Sequence, residues 1–192
     1  LRVQKTGDGS YLVSRPNESE AVELAATAID GRFSGRTTEG TGSYTTGSTS
    51  AATGSSLSPR ETPQSVSVIT HQRLDDQNVI TLADALANSP GIGTSVLDSE
   101  RTAFTARGFS ITDIQYDGIS SAYTSQYAAG ESEMDAIIYD RLEIVRGATG
   151  LLTGAGEPSA SINLVRKRAD SKGLRGKAQI SAGSWDNYRS SI

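Results

Sequence analysis

The sequence predicts an α+β domain with a small mixed β-sheet and short helices, preceded by a flexible linker. Between residues 58 and 172, two short helical segments are interspersed with short β segments, an order typical of α+β domains. By contrast, the range 15–57 is rich in Gly, Ser and Thr and poor in apolar residues. Only 35% of the 192 residues are hydrophobic and 20 are glycine, so we expect a core that occupies only part of the chain.

The composition excludes several classes of protein. The net charge of -4 offers no basic face for nucleic acid, and the basic run at 166–168 is interpreted as a solvated segment. The absence of cysteine excludes disulfides, thiolate metal sites and thiol nucleophiles. The sequence contains no run of about 18 apolar residues, so no membrane helix is predicted. The chain starts at Leu1 without Met or a signal peptide and stops at Ile192 inside an alternating segment, so we expect both ends to be internal to a longer protein.

The first 57 residues divide into a hairpin and a linker. Two apolar, alternating segments flank residues 6–9, whose two glycines suit a tight turn, and this pattern predicts a hairpin over residues 1–14. A lone hairpin is only marginally stable, so we expect it to be the last piece of a larger domain. Residues 15–57 are predicted to be a flexible linker, with one apolar island at 22–29.

Residues 58–172 are predicted to form the compact domain, beginning with a strand and two helices. Val66 and Val68 alternate with serines, which predicts a strand, and Thr70 is expected to cap a short helix. Thr81 and Asp84 have the spacing of a capping box at the start of a second helix. One face of this helix is predicted to be buried, through Leu82, Ala85 and Leu86, and the helix is expected to stop at residues 89–91.

The rest of this domain is predicted to be β-structure. Short segments are predicted at 104–109, at 114–119 around the Asp117-Gly118 turn, at 142–145 and at 161–165. The final segment, 177–182, differs because its polar and apolar residues strictly alternate. That alternation fits a strand of a membrane β-barrel and equally a half-solvated strand of a soluble sheet. Trp185 and Tyr188 favour the first interpretation without deciding it, because amphipathic aromatic residues cluster at the edges of a bilayer.

The chemical motifs predict neither an enzyme nor a metal site. The glycine-rich stretch 147–156 is followed by Glu157 and Pro158, where a phosphate-binding loop needs Lys and a hydroxyl residue, and it lacks the third glycine of a dinucleotide motif. His71 is the only histidine, so a metal site built on several imidazoles is excluded. We interpret the glycines as turns, and the acidic residues as caps and turn residues. No cofactor is predicted.

An ordered series of six motifs resembles a known family. The motifs occupy residues 62–70, 82–92, 106–109, 116–119, 140–147 and 161–168. In this order they resemble the plug domain of TonB-dependent outer-membrane receptors, over roughly residues 58 to 189. Two stretches, 146–156 and 182–189, resemble in particular the members of the family that import ferric siderophores of the pyoverdine type. The resemblance implies a receptor plug at 58–172 whose parent protein imports a ferric siderophore.

The resemblance also implies roles for the flanking regions and a set of partners. Residues 1–14 resemble the end of a periplasmic signalling domain, which in the transducing members of the family contacts an anti-sigma regulator. Residues 173–192 resemble the first strand of the transmembrane β-barrel, most of which is missing from this chain. The implied location is the outer membrane, with the linker and signalling domain in the periplasm. The implied partners are the C-terminal domain of TonB and a ferric siderophore.

One candidate site is the TonB box in the linker. The apolar island offers an extended peptide that can add as a strand to the sheet edge of a partner. Its position upstream of the plug matches the family pattern. The alternative is a chance apolar stretch in a linker. The proposed box consists of Leu24, Ala25, Ala26, Thr27, Ala28 and Ile29.

A second candidate site is ionic. Arg107 and Arg146 each precede a glycine at the end of a β segment, and a guanidinium held there needs an anionic partner. The resemblance implies that these arginines pair with glutamates of the barrel wall. Within this chain we expect Arg107, Arg146 and Glu143 to lie close together, and the alternative is an ordinary internal ion pair.

The third candidate site binds the ligand. A ferric siderophore fills the coordination sphere of its own iron, so a receptor supplies aromatic faces and hydrogen-bond donors and no metal ligands. The loop at 120–130 and the turn at 152–156 are the candidates, because the resemblance places them at the outward apices of the plug. The predicted ligand-binding residues are Tyr123, Gln126, Tyr127, Thr153 and Gly154.

Two alternatives to the siderophore receptor stay open at the level of sequence. The first is a soluble α+β binding module, or an enzyme, in which Trp185 and the glycines line a ligand pocket. The second is a receptor of the same family for haem, cobalamin or a carbohydrate.

Overall fold

The computed structural model describes residues 2–5, 11–14, 37–122, 133–147, 158–169 and 176–192. The chain divides into two compact units, residues 1–31 and 32–192. In the first unit, strands β1 (Arg2–Lys5) and β2 (Tyr11–Ser14) pair antiparallel, with Val3 opposite Val13. This pairing confirms the predicted N-terminal hairpin.

The second unit contains two short helices and ten strands in its described part. The helices are α1 (His71–Asp76) and α2 (Leu82–Ala87), and a 3₁₀ turn spans Ala136–Ile138. The strands are β3 (Ser65–Thr70), β4 (Gly93–Val96), β5 (Thr102–Ala106), β6 (Phe109–Ser110), β7 (Asp113–Tyr116), β8 (Ile119–Ala122), β9 (Tyr139–Arg146), β10 (Ala160–Arg166), β11 (Gln179–Ala182) and β12 (Tyr188–Ser191).

A five-stranded mixed sheet organises the second unit. Its order is β3-β9-β10-β7-β8, and β10 runs parallel to β7 while the other neighbours are antiparallel. One face carries apolar residues such as Leu142, Ile144 and Ile162, which pack with Leu82 and Leu86 of α2 in a single buried cluster. Strands β4, β5 and β6 form a separate three-stranded sheet. The α+β class with a small mixed sheet is therefore confirmed.

The five-stranded sheet has two ends that matter for function. At the first, called the Arg146 end, Arg146 of β9 lies opposite Ala160 of β10 and Ser65 of β3. At the second, called the Asp140 end, β9 and β3 meet at Arg141 and Thr70. The turn between β7 and β8 also lies at the Asp140 end, because β7 runs parallel to β10.

The two helix starts differ from each other in their capping. Thr81 accepts a hydrogen bond from the Asp84 amide, and Asp84 accepts one from the Thr81 amide, which confirms the predicted capping box. Thr70 stands at the N-cap of α1 but makes no side-chain cap. Its hydroxyl donates instead to the carbonyl oxygen of Ser43 at 2.7 Å. Thr70 therefore occupies the predicted N-cap position, but its side chain does not cap the helix, since the hydroxyl is directed to the Ser43 carbonyl.

Two tight turns join neighbouring strands. Asp117 and Gly118 have φ of 51° and 84°, the left-handed pair of a two-residue hairpin, which confirms the predicted turn. Arg107 and Gly108 have φ of 53° and 84° and turn β5 back into β6. The segment predicted at 104–109 is thus a hairpin and not one strand. Arginine is an unusual residue at positive φ.

The described part of the predicted linker packs against the domain. In the range 37–57, Thr38, Thr49 and Ala52 are buried, and Thr49 and Leu57 exchange two backbone hydrogen bonds at 2.8 and 3.1 Å. The low apolar content of this stretch led to the linker prediction. Hydrogen bonds of hydroxyl and amide groups hold the described part of this segment against the domain, where apolar contacts are few.

The C-terminal residues form a hairpin where a single strand is predicted. Strands β11 and β12 pair antiparallel, and Trp185 and Asp186 take positive φ in the turn between them. Ile180, Trp185 and Tyr188 are exposed on this hairpin. Among the described residues, no helix has the length and apolar character needed to cross a membrane.

Candidate functional site

Described residues that flank the two predicted ligand-binding segments lie at one end of the sheet. Ala122 precedes the range 123–132 and lies opposite Asp113, which pairs in turn with Ser161 at the Arg146 end. Gly147 and Pro158 flank the range 148–157 at the same end, where the amide of Gly147 donates to the carbonyl of Ser159. The predicted ligand residues Tyr123, Gln126, Tyr127, Thr153 and Gly154, and the proposed TonB box at 24–29, lie outside the described residues.

Arg107 and Arg146 are neighbours at the Arg146 end, as predicted. The Nη1 of Arg107 lies 2.7 Å from the position that a Cβ on Gly147 would occupy, so the guanidinium rests on the backbone next to Arg146. Gly147 has φ of 103°, a backbone conformation that favours glycine. The turn at Arg107 and the bare backbone at Gly147 together bring two cationic side chains to one place.

Arg146 keeps unused hydrogen-bond donors in this arrangement. Its Nη1 donates to the Ser67 hydroxyl at 2.8 Å. Its Nε and Nη2 are buried without a hydrogen-bond partner in the described part of the chain. Burial lowers the pKa of Arg146, and the positive charge of Arg107 lowers it further. A carboxylate from another part of the protein would offset both the burial of the Arg146 guanidinium and its repulsion by Arg107.

Glu143 does not join these arginines, contrary to prediction. Its carboxylate is completely buried and accepts hydrogen bonds from Arg141 Nε and Asn163 Nδ2, each at 2.9 Å. The reason is the alternation of β9, which sends residues 143 and 146 to opposite faces of the sheet. Within β9, Arg141 forms ion pairs with both Glu143 and Asp140.

A second polar site lies at the Asp140 end. The amide of Thr38 donates to both carboxylate oxygens of Asp140, at 2.9 and 3.0 Å, and the amide of Glu39 donates to Oδ1 at 2.7 Å. Arg141 Nη1 donates to Oδ2 at 2.9 Å. The Thr38 hydroxyl donates to the Asp140 carbonyl at 2.8 Å and accepts from the His71 amide at 3.0 Å. We call this arrangement of Thr38, Glu39 and Asp140 the Asp140 clasp.

Hydrogen bonds link the clasp to the turn between β7 and β8. From Asp140 they pass through Arg141 and Glu143 to Asn163, whose Oδ1 accepts from the amide of Gly118 at 2.8 Å. Arg141, Glu143 and Asn163 are all buried. Buried polar groups linked in this way are satisfied and hold one geometry.

The sequence analysis missed the Asp140 clasp. A signal was available, because β9 carries three charged residues, Asp140, Arg141 and Glu143, among apolar ones, and charges inside a buried strand need partners. Their partners could not be read from the sequence, since Thr38 lies 102 residues from Asp140.

His71 lies near the clasp, with its Nε2 3.6 Å from Asp75 and 3.9 Å from Glu39. In the described part of the chain, no group of three or more His, Cys, Asp or Glu is placed to hold a metal ion.

Comparison with known proteins identifies relatives of this chain. A family model described as the TonB-dependent receptor plug domain matches residues 58–161, more than half of the chain. The ferripyoverdine receptor of Pseudomonas aeruginosa is 48% identical over 173 residues, which covers 90% of this chain and 21% of that protein. The chain therefore spans about a fifth of the length of this curated relative.

Two solved structures share the fold at substantial sequence identity. The ferripyoverdine receptor of the outer membrane of P. aeruginosa, bound to ferripyoverdine, has a TM-score of 0.76 and 50% identity, over 80% of this chain and 20% of that one. The alcaligin outer-membrane receptor of Bordetella pertussis has a TM-score of 0.71 and 52% identity, over 81% of this chain and 27% of that one. The described fold is therefore similar to that of a part of each receptor.

Proposed function

Because the chain belongs to the family of TonB-dependent receptor plug domains, we propose that it is the plug region of an outer-membrane receptor that binds and imports a ferric siderophore. The observation that carries the proposal is the match over residues 58–161 together with 48% identity to a ferripyoverdine receptor. The family is one of receptors and not of enzymes, which removes the enzyme and the soluble module as alternatives.

Similarity to receptors for pyoverdine and alcaligin favours a siderophore over haem, cobalamin or a carbohydrate as the ligand. The test is equilibrium binding of these four ligand classes to the purified full-length receptor, followed by tryptophan fluorescence. Tight binding restricted to ferric siderophores supports the proposal. Preferential binding of haem, cobalamin or a carbohydrate would show that the ligand belongs to that class and is not a siderophore.

Energy for import is proposed to come from TonB, through the box at residues 24–29. An extended apolar peptide binds by adding a strand to the sheet edge of its partner, so main-chain hydrogen bonds supply most of the affinity. In support, Thr38 and Glu39, among the first described residues after this box, bond directly to Asp140 of the plug sheet. The linker and its box are then periplasmic.

Arg107 and Arg146 are proposed to hold the plug to the wall of its barrel. Arg146 holds unused, buried donors beside a second, exposed guanidinium, that of Arg107, and such a cationic site is stabilised when carboxylates meet it. The barrel would supply these carboxylates. Glu143 is not available for the contact, because Arg141 and Asn163 occupy its two oxygens.

The ligand is proposed to bind at the Arg146 end, through Tyr123, Gln126, Tyr127, Thr153 and Gly154. Support comes from the sheet, since the ranges 123–132 and 148–157 both leave it at this end.

The flanking hairpins are proposed to belong to neighbouring domains. The hairpin of β1 and β2 is interpreted as the end of a signalling domain that contacts an anti-sigma regulator. The hairpin of β11 and β12, which exposes Ile180, Trp185 and Tyr188, is interpreted as the start of the transmembrane barrel. A structure of the full-length receptor tests both assignments. The first assignment is wrong if that structure places residues 1–14 outside a periplasmic domain. The second is wrong if it places residues 173–192 outside the barrel wall.

A further inference from the structure

The hairpin of β11 and β12 has two chemically different faces. Residues that lie directly opposite each other in an antiparallel pair share a face, and successive residues of a strand alternate between faces. The register of the hairpin therefore places four polar residues on one face, namely Gln179, Ser181, Arg189 and Ser191. The other face carries three less polar residues and one serine, namely Ile180, Ala182, Tyr188 and Ser190. This alternation is typical of a barrel strand, which is polar toward the lumen and apolar toward lipid.

The polar face of the hairpin is the one turned toward the plug. Gln179, Arg189 and Ser191 line a cavity of about 550 Å³, and its opposite wall is formed by α1 and the 3₁₀ turn. On the other face, the side chains of Ile180 and Tyr188 are exposed. The hairpin thus presents to the plug the face that a barrel strand presents to its lumen.

Two ion pairs join the hairpin to the plug. Lys177, just before β11, donates from Nζ to Oδ2 of Asp75 at 2.8 Å. Arg189, in β12, donates from Nη2 to both carboxylate oxygens of Asp135, at 2.8 and 2.7 Å. Each arm of the hairpin is therefore attached at one point, and two points fix both its position and its orientation.

The two carboxylates are held in place by the plug itself. Asp135 also accepts from the Ile137 amide at 2.9 Å as the N-cap of the 3₁₀ turn, and it forms a β-bridge with Thr81. Asp75 belongs to α1. Both lie at the Asp140 end, because α1 follows the end of β3 and the 3₁₀ turn precedes the start of β9. The acceptors are thus positioned for two cations at one end of the plug.

We propose that Asp75 and Asp135 form the docking surface of the plug for the first hairpin of the barrel, and that Lys177 and Arg189 are its lumenal counterparts. The inference rests on the proposed function, which assigns this hairpin to the barrel. At the Arg146 end the plug supplies cations, whereas at the Asp140 end it supplies anions. A plug turned end for end would bring like charges together, so this polarity favours one orientation in the barrel.

The test is a charge swap in the full-length receptor, followed by hydrogen exchange of peptides that cover residues 71–78. Asp75→Lys and Lys177→Asp each bring like charges together, and each alone is expected to accelerate exchange by about 3- to 10-fold. The double variant restores an opposite pair, and its exchange is expected to return to within about 2-fold of the wild-type rate. Unchanged exchange in both single variants, or no restoration in the double variant, would overturn the proposal.

Asp76 provides the matched control on the same helix. Its carboxylate accepts from Tyr44 and Gln72 and makes no ion pair with the hairpin in the described part of the chain. Faster exchange caused by Asp76→Lys is therefore expected to persist when Lys177→Asp is added. Equal restoration of the Asp75 and Asp76 variants would show a general effect of net charge and would contradict a specific docking pair.

The second ion pair is tested with neutral variants, which also serve if charge reversal prevents assembly of the receptor. Asp135→Asn keeps an acceptor for the Ile137 amide, and Arg189→Gln removes the cation. Each is expected to accelerate exchange of residues 133–139 by about 2- to 5-fold. The double variant is expected to exchange no faster than either single variant, because one interaction is lost in all three. Fully additive effects, or none, would overturn this half of the docking surface.

Single cysteines separate failure of the docking surface from failure of the proposed function. In a barrel strand, a fluorophore on Ile180→Cys faces lipid and is quenched by brominated lipids, whereas one on Gln179→Cys is not. If neither is quenched, the hairpin is not part of the barrel wall, and the barrel assignment fails together with this inference. If Ile180→Cys is quenched and the charge swap restores nothing, the barrel assignment stands and the docking surface is wrong.

Discussion

At the residue scale, the described side chains meet either a partner within one turn of the chain or one that the fold brings from far along the sequence. The capping box of Thr81 and Asp84 was predictable because both partners lie within one turn of helix. The Thr70 hydroxyl was assigned to a cap and instead meets Ser43, which lies 27 residues away. Arg107 and Arg146 were correctly placed together, but their pairing with Glu143 ignored the strand alternation that separates positions 143 and 146. Local chemistry is readable from sequence, whereas partners set by tertiary contact are not.

At the residue scale, the account predicts that Arg146→Gln destabilises the plug inside its barrel. Loss of the guanidinium would leave a buried carboxylate of the barrel without its partner, at a cost of about 2 to 4 kcal/mol. Native-state hydrogen exchange of β9 and β10 in the full-length receptor measures this change. Arg60→Gln is the control, because Arg60 is exposed. Equal hydrogen-exchange rates of β9 and β10 in the two variants would contradict the proposed contact.

Secondary-structure elements were predicted well where periodicity is local. Strands β3, β9 and β10, helix α2 and the Asp117-Gly118 turn all occur where expected. The range 37–57 was predicted to be linker, because propensity and hydrophobicity cannot register hydrogen bonds to Asp140 across about a hundred residues. The turn at Arg107 was missed for another reason, since arginine rarely takes positive φ.

At the element scale, the account predicts that Thr27→Pro abolishes TonB-dependent uptake. Proline removes one main-chain donor from the strand that residues 24–29 would add to TonB. Ligand binding is expected to stay at the wild-type level, because the substitution lies outside the plug. Ser19→Pro, in the same segment but outside the box, serves as the control. Normal uptake by the Thr27 variant would rule out this TonB box.

A second element-scale prediction concerns the loop at 120–130. Replacement of Tyr123 and Tyr127 by alanine is expected to weaken siderophore binding by about 1 to 3 kcal/mol, the contribution of stacked aromatic side chains. Tyr44→Ala is a matched control, since the Tyr44 hydroxyl contacts Asp76 instead. Competition binding on whole cells provides the measurement. Wild-type affinity in the double variant would leave the turn at 152–156 as the candidate site.

The whole molecule was recognisable because six short motifs occur in a fixed order. Each motif alone is compatible with many proteins, but the series specifies the plug family, which the match over residues 58–161 confirms. The mixed sheet explains the motif positions, since three of the motifs contribute strands β3, β9 and β10, and the motif at 116–119 forms the turn between β7 and β8. Ligand identity could not be derived in the same way, because the predicted ligand-binding residues lie outside the described part of the chain.

Uptake of a radiolabelled ferric siderophore tests the central claim most directly. The full-length receptor is expressed in an iron-starved strain that lacks its own siderophore receptors, with TonB either present or deleted. The account predicts accumulation of iron from a pyoverdine-type siderophore when TonB is present, and surface binding without accumulation when TonB is absent. Failure to take up any ferric siderophore, or equal accumulation with and without TonB, would contradict it.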